Sequence, residues 1–207
     1  MKVTIIGAGN MGRGIGTRAV AGGHEVQIID RDPEDAKALA QELGGSAKGS
    51  GPDDPIEGDV VIFAIYYPQE QALSQYADQL EGKVVVDISV PVDVETWDSM
   101  ATPPGTSSAE QMADRLSGSQ VVKAFSTTFA PTLVRGEVSG QKLDVLIAGD
   151  DEPAKQQVRE LGESGGLNVI DVGPLRRAQQ LEQAGFLHVK LQEPLGSGFG
   201  SALKVVT

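Results

Sequence analysis

The sequence predicts an α/β fold: a doubly wound, mostly parallel sheet of six to eight strands with a small C-terminal helical extension. Three observations predict it. Short β-branched runs alternate with helical stretches along the whole chain. Several of these runs are apolar at nearly every position, as strands covered by helices on both faces are. The first thirty or so residues also make one complete strand–helix–strand unit with glycines at its corners.

Residues 2–6 (KVTII) form the first strand, bounded by Gly7. A helix follows over 10–21, with Met11, Ile15, Ala19 and Val20 on one face, and Gly22 and Gly23 stop it. Residues 25–29 (EVQII) are the second strand and end at Asp30. Pro33 opens a helix to Leu43, with Gly44 and Gly45 past its end. Residues 46–58 read as a polar linker rich in Gly, Pro and Asp. The third strand is 59–65 (DVVIFAI), a helix covers 69–80, and the fourth strand is 83–88 (KVVVDI). A loop over 92–105 holds the single tryptophan, Trp97. Residues 107–116 are helical and 120–125 (QVVKAF) are the fifth strand. Residues 134–142 read as mobile. A strand at 144–148, a helix over 152–164 capped by Asp150 and Asp151, and a strand at 168–172 follow. A final helix over 174–192 is broken at Gly185, before a glycine-rich tail at 196–200 and an apolar end at 203–206. No linker separates two cores, so 1–150 is the core and 151–207 a strand, helix and tail packed on the same domain.

Composition narrows the function. Zero cysteines exclude a disulfide scaffold, a thiolate nucleophile and a thiolate-bound metal, and no His cluster predicts a metal site. With 17 basic against 29 acidic residues the net charge is −12, which leaves no footprint for nucleic acid or an anionic membrane surface. No apolar run approaches the ~20 residues of a membrane span, and Met1-Lys2 leads straight into a strand rather than a signal peptide. The cytoplasm is the expected compartment.

Gly7-Ala8-Gly9-Asn10-Met11-Gly12 is a G-x-G-x-x-G string between a strand and a helix, with an acid, Asp30, closing the next strand. In that context it is a dinucleotide-binding fingerprint on a Rossmann-like core. Gly7 permits the turn, Gly9 lets the backbone approach a pyrophosphate, and Gly12 lets helix and strand touch. Asp30 and Arg31 pull coenzyme choice in opposite directions, and the ribose rule tips the reading towards NAD. A carboxylate there favours the ribose hydroxyls of NAD, whereas Arg31 offers a partner to the 2′-phosphate of NADP or pairs with an acidic neighbour. His24 and His188 stand alone and read as structural. Asp87 reads as the cap of a turn, and Arg176-Arg177, at a helix start that disfavours cations, read as an anion contact or a solvated surface.

The whole chain resembles the deazaflavin (coenzyme F420)-dependent NADP reductases and the related reductase domain of the STEAP metalloreductases. The shared segments are IGAGNMGRGIG at 6–16, GHEV at 23–26, VVIFAIYYP at 60–68, VVVDISVPV at 84–92, VVKAFSTTFA at 121–130, AGDD at 148–151 and DVGPLRRA at 171–178. The resemblance implies that Gly7, Gly9, Asn10, Met11 and Gly12 hold the pyrophosphate. It implies that Ile65, Tyr66, Tyr67 and Pro68 line the ribose and nicotinamide, and that Val90 and Pro91 flank the ring. Phe125, Ser126 and Thr127 would lie beside the redox partner. Three positions depart from the family pattern: Asp30-Arg31 replaces a Ser/Thr-Arg pair, Ser126 stands for His or Asn, and Tyr66 for Pro.

The expected function is therefore an NAD(P)-dependent oxidoreductase passing hydride between nicotinamide (NAD or NADP) and a deazaflavin, a flavin or another small electron acceptor. Ring-to-ring transfer needs orientation more than acid/base help, and no Ser-His-Asp order or paired catalytic carboxylates emerge. Two alternatives remain at this stage: a dinucleotide sensor without turnover, and a reductase of a small imine or carbonyl. Tyr67, Ser126 and Thr127 are the catalytic candidates. The apolar end of the tail, which would not stay in water, and the resemblance together predict a homodimer with the tail docked at the interface or along a sheet edge.

Overall fold

The computed structural model describes residues 1–206; Thr207, the last residue of the predicted tail, lies outside them. In chain order the elements are β1 (Lys2–Ile6), α1 (Asn10–Ala21), β2 (Glu25–Ile29), α2 (Pro33–Leu43), β3 (Lys48–Ser50), β4 (Val60–Phe63), α3 (Glu70–Leu80) and β5 (Val84–Asp87). Next come α4 (Ser108–Arg115), β6 (Gln120–Lys123), α5 (Ala130–Arg135), β7 (Glu137–Val138), β8 (Gln141–Lys142), β9 (Asp144–Gly149), α6 (Glu152–Ser164) and β10 (Asn168–Asp171). A 3-10 turn at Leu175–Arg177, α7 (Ala178–Lys190) and α8 (Gln192–Leu195) close the series.

One eight-stranded sheet runs in the order β10-β9-β6-β5-β4-β1-β2-β3. All its pairs are parallel except β6 with β9. Every residue of β4 and β5 is buried, as strands covered on both faces must be. Alternate side chains feed two cores. Val3, Ile5, Ile28, Ile62, Val86 and Val122 pack towards α1, α2 and α6, while Ile6, Ile29, Val61, Phe63 and Val85 pack towards α3 and α4. Capping fixes where helices start. Asp32 accepts from the N–H of Glu34, Asp151 from that of Ala154, and the Ser107 hydroxyl from that of Glu110 while donating to the Glu110 carboxylate.

The structure corrects the linear reading in four places. Residues 46–58 are not all linker, because β3 adds to the sheet beside β2. Gly49 there is a packing requirement, since a Cβ would stand 2.4 Å from the backbone nitrogen of Lys37 on α2. Residues 134–142 are not mobile coil: α5 ends in them and a hairpin follows, turned by Ser139 and Gly140, both at positive φ as a type I′ turn requires. Gly185 does not break α7; it lets that helix press on the chain below. The tail is held rather than loose. Ser201 bonds to His188 and Gln192, Lys204 pairs with Asp144, and the N–H of Val205 donates to Asp144 at 2.8 Å, so this stretch lies on its own chain.

Close helix packing positions the first turn of α1. A Cβ on Gly14 would come within 2.9 Å of Leu133 Cβ on α5, and one on Gly16 within 2.7 Å of Leu43 on α2. Gly14→Val should therefore destabilise the protein by about 1–3 kcal/mol through overpacking. The check is a lower urea midpoint with an unchanged denaturant slope.

Candidate functional site

Strands β1, β4, β5 and β6 run side by side in one direction, and their last residues are in register: Ile6 with Phe63, Phe63 with Asp87, Asp87 with Lys123. The four segments that follow them therefore emerge along one edge of the sheet. The order β3-β2-β1-β4-β5-β6 places the change of winding direction between β1 and β4, where open α/β sheets leave a crevice.

The glycine turn occupies that crevice. Gly7 sits at φ 116°, and a Cβ on it would lie 2.5 Å from the carbonyl oxygen of Ala64. A Cβ on Gly12 would lie 2.1 Å from the carbonyl oxygen of Gly7. Gly9 differs: it is exposed, its backbone suits any residue (φ −75°), and its Cβ direction is open space. Helix α1 begins there with no side-chain cap and no acid in its first turn. Its free N–H groups and positive dipole end make a cradle that fits a diphosphate. Asn10 is exposed and Met11 half-buried, with the Asn10 side-chain oxygen accepting from Arg13.

Asp30 has a task of its own. One carboxylate oxygen accepts from the N–H of Ala8 at 2.7 Å, bracing the glycine turn, and the other from the N–H of Asp32 at 3.1 Å. Arg31 is exposed and, among the described residues, makes no ion pair with its acidic neighbours.

After β4, Ile65 is half-buried, Tyr66 is 88% exposed, and Tyr67 turns its hydroxyl to the side chain of Gln111 on α4 at 3.1 Å. After β5, Val90 is half-buried and Pro91 buried. After β6, Phe125 is buried at φ 59°, a conformation that costs a non-glycine residue about 1–3 kcal/mol and that clusters at ligand sites. Next to it the Ser126 hydroxyl is buried without a hydrogen-bond partner. The carbonyl of Thr127 accepts from His188 Nδ1, which leaves Nε2 to accept from Ser201. Burial lowers the pKa of His188, so the ring stays neutral in this role. His24 likewise bonds to Ser164 and the Met1 nitrogen. Arg176 and Arg177 are exposed. The row thus brings together the glycine turn, residues 65–67, Val90–Pro91 and Ser126, while the hydroxyl of Tyr67 is engaged elsewhere.

Under the row lies a cluster that residue-by-residue reading passed over. Lys123 Nζ donates to Asp87 Oδ2 and Glu182 Oε1, both at 2.8 Å, and to the carbonyl of Ser89 at 2.6 Å. Burial alone would raise the carboxyl of Asp87. The Lys123 ammonium, with the N–H of Ser89 and the amide of Gln69, outweighs burial and holds it below its usual range. The signal was present as a lysine among the apolar residues 121–125 of the QVVKAF run, beside a strand that ends in an acid. A cavity of about 690 Å³ adjoins the cluster between α7 and residues 98–106, with Met100, Pro103, Gln179, Glu182 and Phe186 in its wall. Among the described residues no group of three or more His, Cys, Asp or Glu is placed to hold a metal, and no helix is long and apolar enough to cross a membrane.

Strand order, glycine turn and uncapped helix define a Rossmann-like nucleotide fold. Residues 2–91 match the family model described as NADP oxidoreductase, coenzyme F420-dependent. The chain is 32% identical over 200 residues to the F420-dependent NADP reductase of Methanocaldococcus jannaschii, a match that covers 88% of each protein. It is 33% identical over 182 residues to the metalloreductase STEAP3 of Rattus norvegicus, and there it spans 36% of the longer protein's length. A crystal structure from Arthrobacter sp. FB24, assigned provisionally as an F420-dependent NADP reductase, superposes with a TM-score of 0.88 at 27% identity over the full length of both chains. The chain belongs to the coenzyme F420-dependent NADP oxidoreductase family and is an oxidoreductase.

Lys123→Met leaves two buried carboxyls without their cation and should cost about 3–5 kcal/mol, read by chemical denaturation at neutral pH. The wild type should lose the Asp87 share of its stability as pH falls through that group's lowered pKa, because the contribution exists only while Asp87 is ionised.

Proposed function

We propose that the protein passes hydride between NADP(H) and a second redox ring, a deazaflavin or flavin, held against the nicotinamide along the strand-end row. The observation that carries this reading is what the row offers and what it lacks. It offers an open diphosphate cradle at Gly9 and a buried, unpartnered hydroxyl at Ser126. It lacks a poised acid–base pair, since the Tyr67 hydroxyl is given to Gln111 and the His188 ring is held between Thr127 and Ser201. Alcohol oxidation requires such a pair; transfer between two rings requires orientation.

When bound, the reduced nicotinamide supplies the hydride. The chain's own residues do the rest. The N–H groups at the start of α1 hold the diphosphate, and Asp30 keeps the turn in shape through Ala8. Arg31, which makes no ion pair among the described residues, is the partner for a 2′-phosphate, which supports NADP over NAD and agrees with the naming of the relatives as NADP reductases. Ile65, Tyr66, Tyr67, Val90 and Pro91 flank the reacting rings and exclude water, and Ser126 offers its hydroxyl to a ligand. Anaerobic oxidation of NADPH and NADH against coenzyme F420, FMN and FAD tests the reading. Reduction of the deazaflavin or a flavin is expected; coenzyme binding without turnover across the whole panel would instead mark a dinucleotide sensor.

Gly9→Val should leave the fold intact, because the position has an ordinary φ and open space. It should weaken NADPH binding by at least about tenfold, ~1.4 kcal/mol, measured by quenching or calorimetry. Arg31→Ala should weaken NADPH by about tenfold and leave NADH unchanged; equal losses for both coenzymes would place Arg31 away from the 2′-phosphate.

A further inference from the structure

The cluster of Lys123, Asp87 and Glu182 joins β6, β5 and α7, and its charges do not balance. The three side chains are 0%, 0% and 1% exposed. All three ammonium protons of Lys123 are used, on Asp87, Glu182 and the carbonyl of Ser89. Two ionised carboxylates around one ammonium would leave a net negative charge on side chains that are almost wholly buried, which burial disfavours. Hydrogen bonding decides which carboxyl keeps a proton. Asp87 receives three donors: Lys123, the N–H of Ser89 and the amide of Gln69. Glu182 receives Lys123 and a longer bond, 3.2 Å, from the N–H of Ser108. With fewer donors, Glu182 is the carboxyl that takes a proton more readily. Burial, assisted by the Asp87 charge, also pushes the pKa of Glu182 up against the pull of Lys123.

Other charged groups around Glu182 are accounted for. On α4, Glu110 is bonded to Ser107 and to Gln179. Asp98, in the wall of the same cavity, stands 3.6 Å from the ammonium of Lys190 on α7. On α7 itself, His188 is neutral and bonded to Thr127 and Ser201.

What the cluster holds down is α7. A Cβ on Gly185 would lie 2.4 Å from the Ser126 carbonyl oxygen and 2.8 Å from Val90 Cγ2, so the seat of this helix sets where Val90 and Ser126 stand. We propose that Lys123, Asp87 and a protonated Glu182 form a clamp that seats α7 on the ends of β5 and β6, and that loss of the Glu182 proton releases it. Glu182 is then a positioning residue; its proton stays with the protein through turnover. The link to acceptor binding rests on the hydride-transfer reading above, but the clamp does not. With a raised folded-state pKa, the clamp is at full strength at low pH and is lost as pH rises through that value.

Trp97, the single tryptophan, reports on the clamp because its carbonyl accepts from Lys190 of α7 at 3.1 Å. Its emission and acrylamide quenching should shift as the ligand-free protein is titrated upward from the ordinary carboxylate range to about pH 10, with the far-ultraviolet circular dichroism unchanged. Glu182→Gln, which cannot ionise, should show no shift. Asp87→Asn, which leaves a balanced pair of Lys123 and Glu182, should also show none and serves if the first variant fails to fold. In turnover, the wild-type KM for the deazaflavin should rise by about tenfold per pH unit above the transition while the Kd for NADPH holds, and Glu182→Gln should flatten that slope. A wild-type protein without the fluorescence transition, or variants that keep it, would overturn the clamp. Absence of turnover with every acceptor would overturn only the hydride-transfer reading, since the Trp97 titration needs no substrate.

Discussion

The closed placement of Lys123 between Asp87 and Glu182 is the constraint on which the strand-end row depends. A lysine in the middle of a sheet buried on both faces has no route to water, so its ammonium must be satisfied where it stands. Asp87 on the next strand, the carbonyl of Ser89 and a carboxyl delivered by α7 meet that demand. Meeting it brings the C-terminal helix down onto the ends of β5 and β6. Apolar residues in place of all three groups would make an easier core; keeping the cluster ties three segments of the chain to a single atom. Ion clusters of this kind serve geometry more than stability.

The glycine turn is governed by a different economy of space. Gly7 and Gly12 are compelled by neighbouring backbone, whereas a Cβ on Gly9 would meet open space. Between them Asp30 reaches back to the N–H of Ala8, so the acid at the end of β2, the position that faces the coenzyme ribose in dinucleotide-binding folds, here braces the glycine turn. Helix α1 is kept in position from behind by Gly14 against α5 and Gly16 against α2.

Much of this was legible in the linear sequence because it follows local rules. β-branched runs, Pro at helix starts and Gly at helix ends located β1, β2, β4, β5, β6 and most helices. The fingerprint and the row of segments 65–67, 90–91 and 125–127 came from the same alternation joined to a family resemblance. Features that depend on contacts distant in sequence were not legible. Gly49 looked like a linker residue because its reason is the backbone of α2. Gly185 looked like a helix breaker because its reason is the carbonyl of Ser126. The pairing of Lys123 with Glu182 spans 59 residues, and no periodicity announces it. The tail beyond Gly196 read as loose because its partners, His188 and Asp144, are polar groups that composition cannot pair.

The antiparallel seam between β6 and β9 is only two residue pairs long, whereas β9 and β10 pair over four. The ladder therefore contributes little to the join between the two parts of the sheet. Side chains cross it instead: Glu182, which follows β10 in the chain, reaches Lys123 at the end of β6, and Gly185 lies against the carbonyl of Ser126. The C-terminal segment is thus fastened to the nucleotide-fold core by a helix as well as by a strand, a double attachment in which neither connection needs to be long.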